Sequence, residues 1–171
     1  GKRYRYWVET GYEEACRDNQ YVWQIVPKLH KDRLERAARD LLGTHDFSAF
    51  RASGCSAGTT IKKLSRVLIG GPFPVGDGLE RWVFEFEGDA FLRKMIRIMV
   101  GTLVEIGTYW RSQNDIPRII KEGHRNAAGV TAPACGLTLS QVGANWPEDK
   151  SNHVFASKPF SKSKIVTDTA S

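Results

Sequence analysis

The hydrophobic pattern predicts an α+β domain, a mainly antiparallel sheet with helices packed on one of its faces. Tyr4, Tyr6 and Val8 alternate with Arg3, Arg5 and Trp7, and Trp82, Phe84 and Phe86 alternate with Val83, Glu85 and Glu87. A period of two is the signature of half-buried strands. Between residues 90 and 107 the apolar positions Leu92, Ile96, Met99, Leu103 and Ile106 follow helical spacing, which predicts a long helix lying on the sheet. Strands and helices are segregated along the chain, and that indicates the α+β class.

The elements follow in order. The first strand carries aromatics on one face and cations on the other. After a polar loop, residues 21–26 form a short β-prone run. Leu34, Ala37, Ala38, Leu41 and Leu42 then recur at helical spacing, predicting a helix that Gly43 stops. Residues 59–69 are rich in β-branched side chains and are expected to end at Gly70-Gly71-Pro72. They should pair antiparallel with the 82–86 run through a loop containing Gly76-Asp77-Gly78. After the long helix, a shorter helix near 115–122 and a last strand near 136–142 complete the domain.

The chain has 171 residues, with 25 Lys and Arg against 19 Asp and Glu, for a formal charge of +6. That basic excess suggests a polyanionic partner. A composition of 41% hydrophobic and 26% charged residues argues against a mainly disordered, collagen-like or membrane-spanning chain. No apolar run approaches the ~20 residues a bilayer span needs, so no membrane partner is expected. Cys16, Cys55 and Cys135 are few, odd in number and far apart. They make neither a disulfide framework nor a paired zinc site, so a reducing, intracellular setting without a structural metal is expected. Residues 1–145 read as one folded unit. Residues 146–171, rich in Ser, Lys, Pro and Thr, read as a mobile tail. Neither an initiator Met nor a secretory h-region precedes the first strand, and the chain reads as a piece of a longer protein.

Arg93, Lys94 and Arg97 are expected in the first two turns of the long helix, on one face. Cations there oppose the helix macrodipole and repel one another, and an outside anion would offset that cost. A solvated stripe tied by salt bridges to Glu85 or Glu87 accounts for the same pattern. Gly101, one turn beyond Arg97, would let another backbone or a substrate approach closely. A second cationic group runs from His45 and Arg51 to Lys62, Lys63 and Arg66. Together with Arg3 and Arg5, these cations interleave with aromatics in a manner that suits RNA. Phe47 and Phe50 read first as core, because large apolar residues are usually buried, and His45-Asp46 suits a turn. No metal-ligand spacing, Gly-rich phosphate loop or nucleophile elbow occurs, so no metal or cofactor is expected. The residues alone describe a basic α+β module that touches RNA.

Four segments carry a resemblance. They are Lys2-Arg3-Tyr4-Arg5-Tyr6; Leu42-Gly43-x-His45-Asp46-Phe47-x-x-Phe50-Arg51-Ala52-x-Gly54-Cys55; Phe91-Leu92-x-x-Met95-x-Arg97-x-x-Val100-Gly101-Thr102-Leu103; and Thr131-Ala132-Pro133-Ala134-x-Gly136-Leu137-x-Leu139. In this order they resemble the C-terminal half of the bacterial-type tRNA pseudouridine synthase A family. The resemblance implies half of a pseudouridine synthase catalytic domain, a ferredoxin-like derivative. It further implies a cofactor-free enzyme that isomerises uridine in the anticodon arm of tRNA, usually as a homodimer, in a cleft between two halves. By the same resemblance Tyr4 falls on the tyrosine that stacks on the target base, and an extruded base does need an aromatic face. Core packing is the alternative for Tyr4. Arg97 falls on the catalytic basic residue, which pairs with the catalytic aspartate. A fixed guanidinium would keep that carboxylate ionised and oriented. Leu92 and Met95 fall on the apolar wall around the uracil.

The family's aspartate belongs to a Gly-Arg-Thr-Asp segment of the N-terminal half, and no such segment occurs here. Asp46 and Asp89 are not substitutes. The chain is therefore expected to be inactive alone and to need the missing N-terminal half as a partner. Lys62-Lys63 stand where the family often has an arginine, and Ala144-Asn145 where it tends to end in an aromatic. Two rivals remain at this point: a catalytically silent RNA-binding module derived from such an enzyme, and a dimerisation domain with incidental charge. The second predicts no salt-dependent affinity for tRNA.

Overall fold

In the computed structural model, which describes residues 1–12 and 21–143, the alternating runs join a single six-stranded sheet. Cys16, Ala144-Asn145 and the 146–171 tail lie outside the described residues. Strand β1, Lys2–Thr10, has a different neighbour on each side. The short β2, Trp23–Ile25, runs parallel to its last residues. Helix α1, Lys31–Arg39, leads to β3, Gly43–Asp46, which pairs antiparallel with β4, Ile61–Gly76. Strand β5, Leu79–Gly88, returns from β4 through an Asp77-Gly78 turn, the kind of pair that suits a tight hairpin. It then lies antiparallel along the whole of β1. Helices α2, Met95–Gly107, and α3, Asp115–Glu122, precede β6, Leu137–Val142. Strand β6 joins the edge of β1 beside β2, giving the order β2-β1-β5-β4-β3 with β6 on β1. The predicted antiparallel sheet with helices on it is observed, with the β1–β2 pair as its parallel member.

Register explains the two faces. Tyr6 lies opposite Phe84 and Val8 opposite Trp82. All four are buried in one core with Leu34 of α1, Met99 and Leu103 of α2, and Ile116 and Ile119 of α3. Fully burying each large apolar side chain contributes about 1.5–3 kcal/mol, so this face anchors the helices. On the other face Arg3 stands opposite Glu87 and Arg5 opposite Glu85, as cross-strand partners. Arg3 reaches Glu87 at 2.9 Å, while Arg5 at 2.8 Å and Arg66 at 3.1 Å converge on Glu85. The carboxylates expected to tie down the helix cations are instead held by sheet arginines.

Three boundaries differ markedly from the sequence reading, and one strand is new. Helix α1 stops at Arg39 rather than at Gly43, and Gly43 opens β3, a strand the sequence did not reveal. Strand β4 continues through Gly70-Gly71-Pro72 to Gly76. The register slips between Gly70 and Phe73, and this bulge absorbs the proline. Gly71 there has φ +111°, and a Cβ would sit 2.7 Å from the Arg81 carbonyl oxygen, so glycine is required. Helix α2 starts at Met95, not at residue 90. Lys94 has φ +59° and cannot continue a helix backwards, so Arg93 and Lys94 stand before α2 and only Arg97 lies within it.

Candidate active site

The N-terminal end of α2, the start of β1 and the start of β6 border an open cleft of about 170 Å³. Its lining combines Tyr4, Phe91, Leu92, Met95, Ile96 and Leu137 with Lys2, Arg93, Lys94 and Arg97. No carboxylate is among these side chains. Alternation on β1 turns Tyr4 toward the helices, like Tyr6 two residues on, yet their surroundings differ. Tyr6 is fully buried and donates its hydroxyl to the Pro133 carbonyl, and burial pushes its pKa well above the ordinary value. Tyr4 sits nearer the end of the strand, half-buried, with its ring edge-to-face with Phe91 at 5.1 Å. Leu92 and Met95 are buried and present the apolar wall. The Leu92 N–H donates to the Met95 sulfur at 3.4 Å, and the Met95 N–H to the Leu92 carbonyl at 3.0 Å.

Arg97 is placed by the loop that follows α3. Its Nε donates to the Ala132 carbonyl at 2.6 Å, while the Ala132 N–H donates to the Arg97 carbonyl at 3.0 Å. Small residues permit that contact: a Cβ on Gly101 would fall 1.9 Å from the Val130 carbonyl oxygen, so the expected close approach at Gly101 is made by the chain's own backbone. Thr102 accepts the Gly129 N–H at 2.9 Å, and Glu105 accepts the Val130 N–H at 3.0 Å. With its Nε committed to a backbone carbonyl, Arg97 is held against one wall of the cleft. Among the described residues no acidic group forms an ion pair with it. Four cations beside the start of a helix favour an incoming anion, and the apolar wall with two rings favours a flat, weakly polar group.

The remaining predicted residues fall elsewhere. His45 and Lys62 lie opposite each other across β3 and β4, and Lys63 stands beside them, opposite Thr44 and exposed. The His45 ring sits 2.7 Å from the Leu42 carbonyl, and Asp46 accepts the Ser48 N–H at 3.0 Å in a turn. Bonds from Thr60 and Ser48 lower the Asp46 pKa. Phe47 and Phe50 are fully buried, as the core reading had it. Arg51 is exposed, at the head of a loop that Arg93 ties to the cleft. The Arg93 carbonyl accepts the Ala52 N–H, and its own N–H meets the Cys55 sulfur at 3.4 Å, which lowers the thiol pKa. Arg3, Arg5 and Arg66 lie on the opposite face of the sheet from Tyr4. Lys2 and Phe91 line the cleft without having been singled out. The signals for them were there: Lys2 shares the face of Tyr4 at a spacing of two, and Phe91 adjoins Leu92.

Residues 37–143 match the family model described as tRNA pseudouridine synthase. The chain is 40% identical over 150 residues to tRNA pseudouridine synthase A of Syntrophotalea carbinolica, covering 87% of this chain and 56% of that protein. It is 41% identical over 146 residues to the protein of the same name from Acetivibrio thermocellus, covering 83% and 56%. With that of Leuconostoc mesenteroides it shares 42% over 146 residues, covering 84% and 55%. The chain thus spans about half the length of the curated relatives it matches. A family match running from α1 to the end of β6, together with identity of this level across most of the chain, means that the chain belongs to the tRNA pseudouridine synthase family.

Proposed function

We propose that this chain is the uracil-holding half of a synthase that isomerises uridine to pseudouridine in the anticodon arm of tRNA. In this reading Tyr4 stacks on the extruded base, Leu92 and Met95 wall it in, and Arg97 pairs with a catalytic aspartate that another half of the enzyme supplies. The observation that supports it is Arg97 itself. It is anchored through Nε to Ala132, it lines a cleft with Tyr4, and no side chain lining that cleft is acidic. An arginine held this way offers its remaining N–H groups to a planar, two-oxygen anion. Isomerisation requires the glycosidic bond to break, the uracil to turn and carbon 5 to rejoin the sugar. A flat apolar wall lets the base turn without holding its polar edge in one orientation. Exposed Lys94, Arg93, Arg51 and Lys63, with the half-buried Lys62, serve as phosphate contacts, and the working enzyme is a homodimer. The test is complementation: the chain alone should bind tRNA and form no pseudouridine, and adding a half that carries a Gly-Arg-Thr-Asp segment should restore turnover. Pseudouridine formed by the pure 171-residue chain would overturn the assignment of the aspartate to another half.

A further inference from the structure

Helix α2 ends on a residue type that its backbone disfavours. Tyr109, just beyond the C-cap Thr108, has φ +65°, a conformation that glycine adopts freely and tyrosine only under strain. The turn leaves Tyr109 61% exposed and Trp110 81% exposed, which makes Trp110 the most exposed large apolar side chain among the described residues. Neither is on a loose segment. The Arg33 guanidinium lies 4.0 Å over the Tyr109 ring, and the His30 ring meets its edge at 4.7 Å. Arg33 also donates to the Ile106 carbonyl at 2.9 Å and to the Arg111 carbonyl at 2.8 Å, and the His30 N–H donates to the Gly107 carbonyl at 3.1 Å. The backbone is therefore pinned on both sides of an indole that stands in solvent. Strain of this kind, held in place by its surroundings, points to function.

The segment that meets the aromatic pair carries Lys28, Lys31, Arg33 and Arg36 against Asp32 and Glu35. A protein partner would favour an apolar rim around an exposed tryptophan. Here the Tyr109 ring is met by Arg33 and His30, while Lys31 pairs with Glu35 and Arg111 with Glu105; a guanidinium beside exposed rings is a combination that holds unpaired RNA by stacking its bases and neutralising its phosphates.

We propose that Tyr109 and Trp110 form a stacking platform for an unpaired nucleotide of the RNA substrate, separate from the cleft. The proposal rests on the tRNA reading above. The 13 residues of α2 put its two ends about 20 Å apart at 1.5 Å per residue, with the cleft at one end and the platform at the other. A flexed tRNA arm engaged at both would be held in register while one uridine is extruded.

The test uses the 171-residue chain, a tRNA transcript, and a short oligoribonucleotide offered single-stranded or as a duplex. Trp110→Ala should weaken tRNA and single-strand binding by about 5- to 160-fold, the range expected for loss of one stacked base, and leave duplex binding unchanged. Trp110→Phe should keep most of the affinity. Tyr109→Gly should also weaken binding while its melting temperature stays equal or rises, because glycine relaxes the backbone. Quenching of tryptophan fluorescence by single-stranded RNA should be smaller in Trp110→Phe. If the wild-type chain binds tRNA and Trp110→Ala binds equally well, the platform is wrong and the tRNA reading survives. A wild-type chain with no tRNA affinity overturns both. A dimer that Trp110→Ala converts to a monomer, seen by sedimentation, overturns the platform in favour of a contact between copies.

Discussion

Arg97 separates a functional from a purely structural role by the response to a charge-conserving change. If its work is only to brace Ala132, Arg97→Lys should be nearly silent, since a single backbone hydrogen bond nets about 0.5–1.5 kcal/mol. If its free N–H groups hold a catalytic carboxylate, lysine keeps the charge but loses the planar fork. Single-turnover rates at saturating tRNA, in the enzyme completed by its other half, should then fall while affinity changes little. Arg97→Ala should be worse, with a cost on the order of 3–5 kcal/mol if the pair is fully desolvated. Wild-type turnover in both variants, with the fold intact, would remove Arg97 from the mechanism. Tyr4 gives a second test at this scale. Tyr4→Phe keeps the ring and its edge-to-face contact with Phe91 and should keep most binding. Tyr4→Ala should lose ~1–3 kcal/mol of base stacking, read from tRNA affinity and turnover. Should thermal melting show that Tyr4→Ala merely unfolds the domain, the tyrosine is a core residue. Sequence could not separate Tyr4 from Tyr6, because a period of two assigns a face and not a distance from the end of the strand. Only the position of α2 and of Pro133 distinguishes the rim of the cleft from the floor of the core.

At the scale of elements, most of the architecture was legible because it rests on apolar periodicity: β1, β5, α1 and α2 all came from alternation or helical spacing. What was not legible depends on backbone geometry that periodicity does not register. Strand β3, Gly43–Asp46, has no apolar alternation and exists because its backbone pairs with that of β4. Strand β4 passes a proline that normally ends a strand, because Gly71 and a bulge take up the change of register. The start of α2 was placed too early because Leu92 and Ile96 fit a helical spacing across Lys94, whose left-handed backbone breaks the helix between them. That break matters to the site, since it sets Arg93 and Lys94 on the rim of the cleft rather than along the helix stripe. The contact between α2 and the 129–133 loop can be probed through Gly101→Ala. Alanine improves helix propensity by roughly 0.8–1 kcal/mol, but its Cβ would fall 1.9 Å from the Val130 carbonyl oxygen, a backbone atom with no rotamer to yield. The clash should prevail, giving net destabilisation of about 1–3 kcal/mol in denaturant melts, typical of overpacking. The displaced Ala132 carbonyl would also release Arg97, so turnover of the completed enzyme should drop more than stability alone explains. An unchanged denaturation midpoint would mean that the loop moves away without strain.

Over the whole molecule the formal charge is +6, but the cations are not equivalent, and their arrangement predicts which of them RNA feels. Arg3, Arg5 and Arg66 surround Glu85, which is almost completely buried, and Glu87 takes a second bond from Arg3. Their charge is partly neutralised within the sheet, and removing one would leave a buried carboxylate short of partners. Lys63, Arg51, Arg93 and Lys94 are exposed, and the Lys2 and Arg97 side chains join the last two at the cleft. Binding of tRNA to the isolated chain should therefore weaken steeply with added salt, as each neutralised phosphate releases counterions. Lys63→Ala should lower the magnitude of the slope of log K against log salt by about 0.7–0.9, the contribution of one phosphate contact, with little change in melting temperature. Arg5→Ala should do the reverse: a clear loss of stability, because buried Glu85 loses a partner, and a slope close to that of the wild type. Measuring both variants over a salt series decides between a surface that reads phosphate and a chain that is merely basic. Equal slopes for wild type and Lys63→Ala would detach the β3–β4 edge from the RNA path. A wild-type slope of zero would leave the dimerisation-domain rival as the better account of the charge.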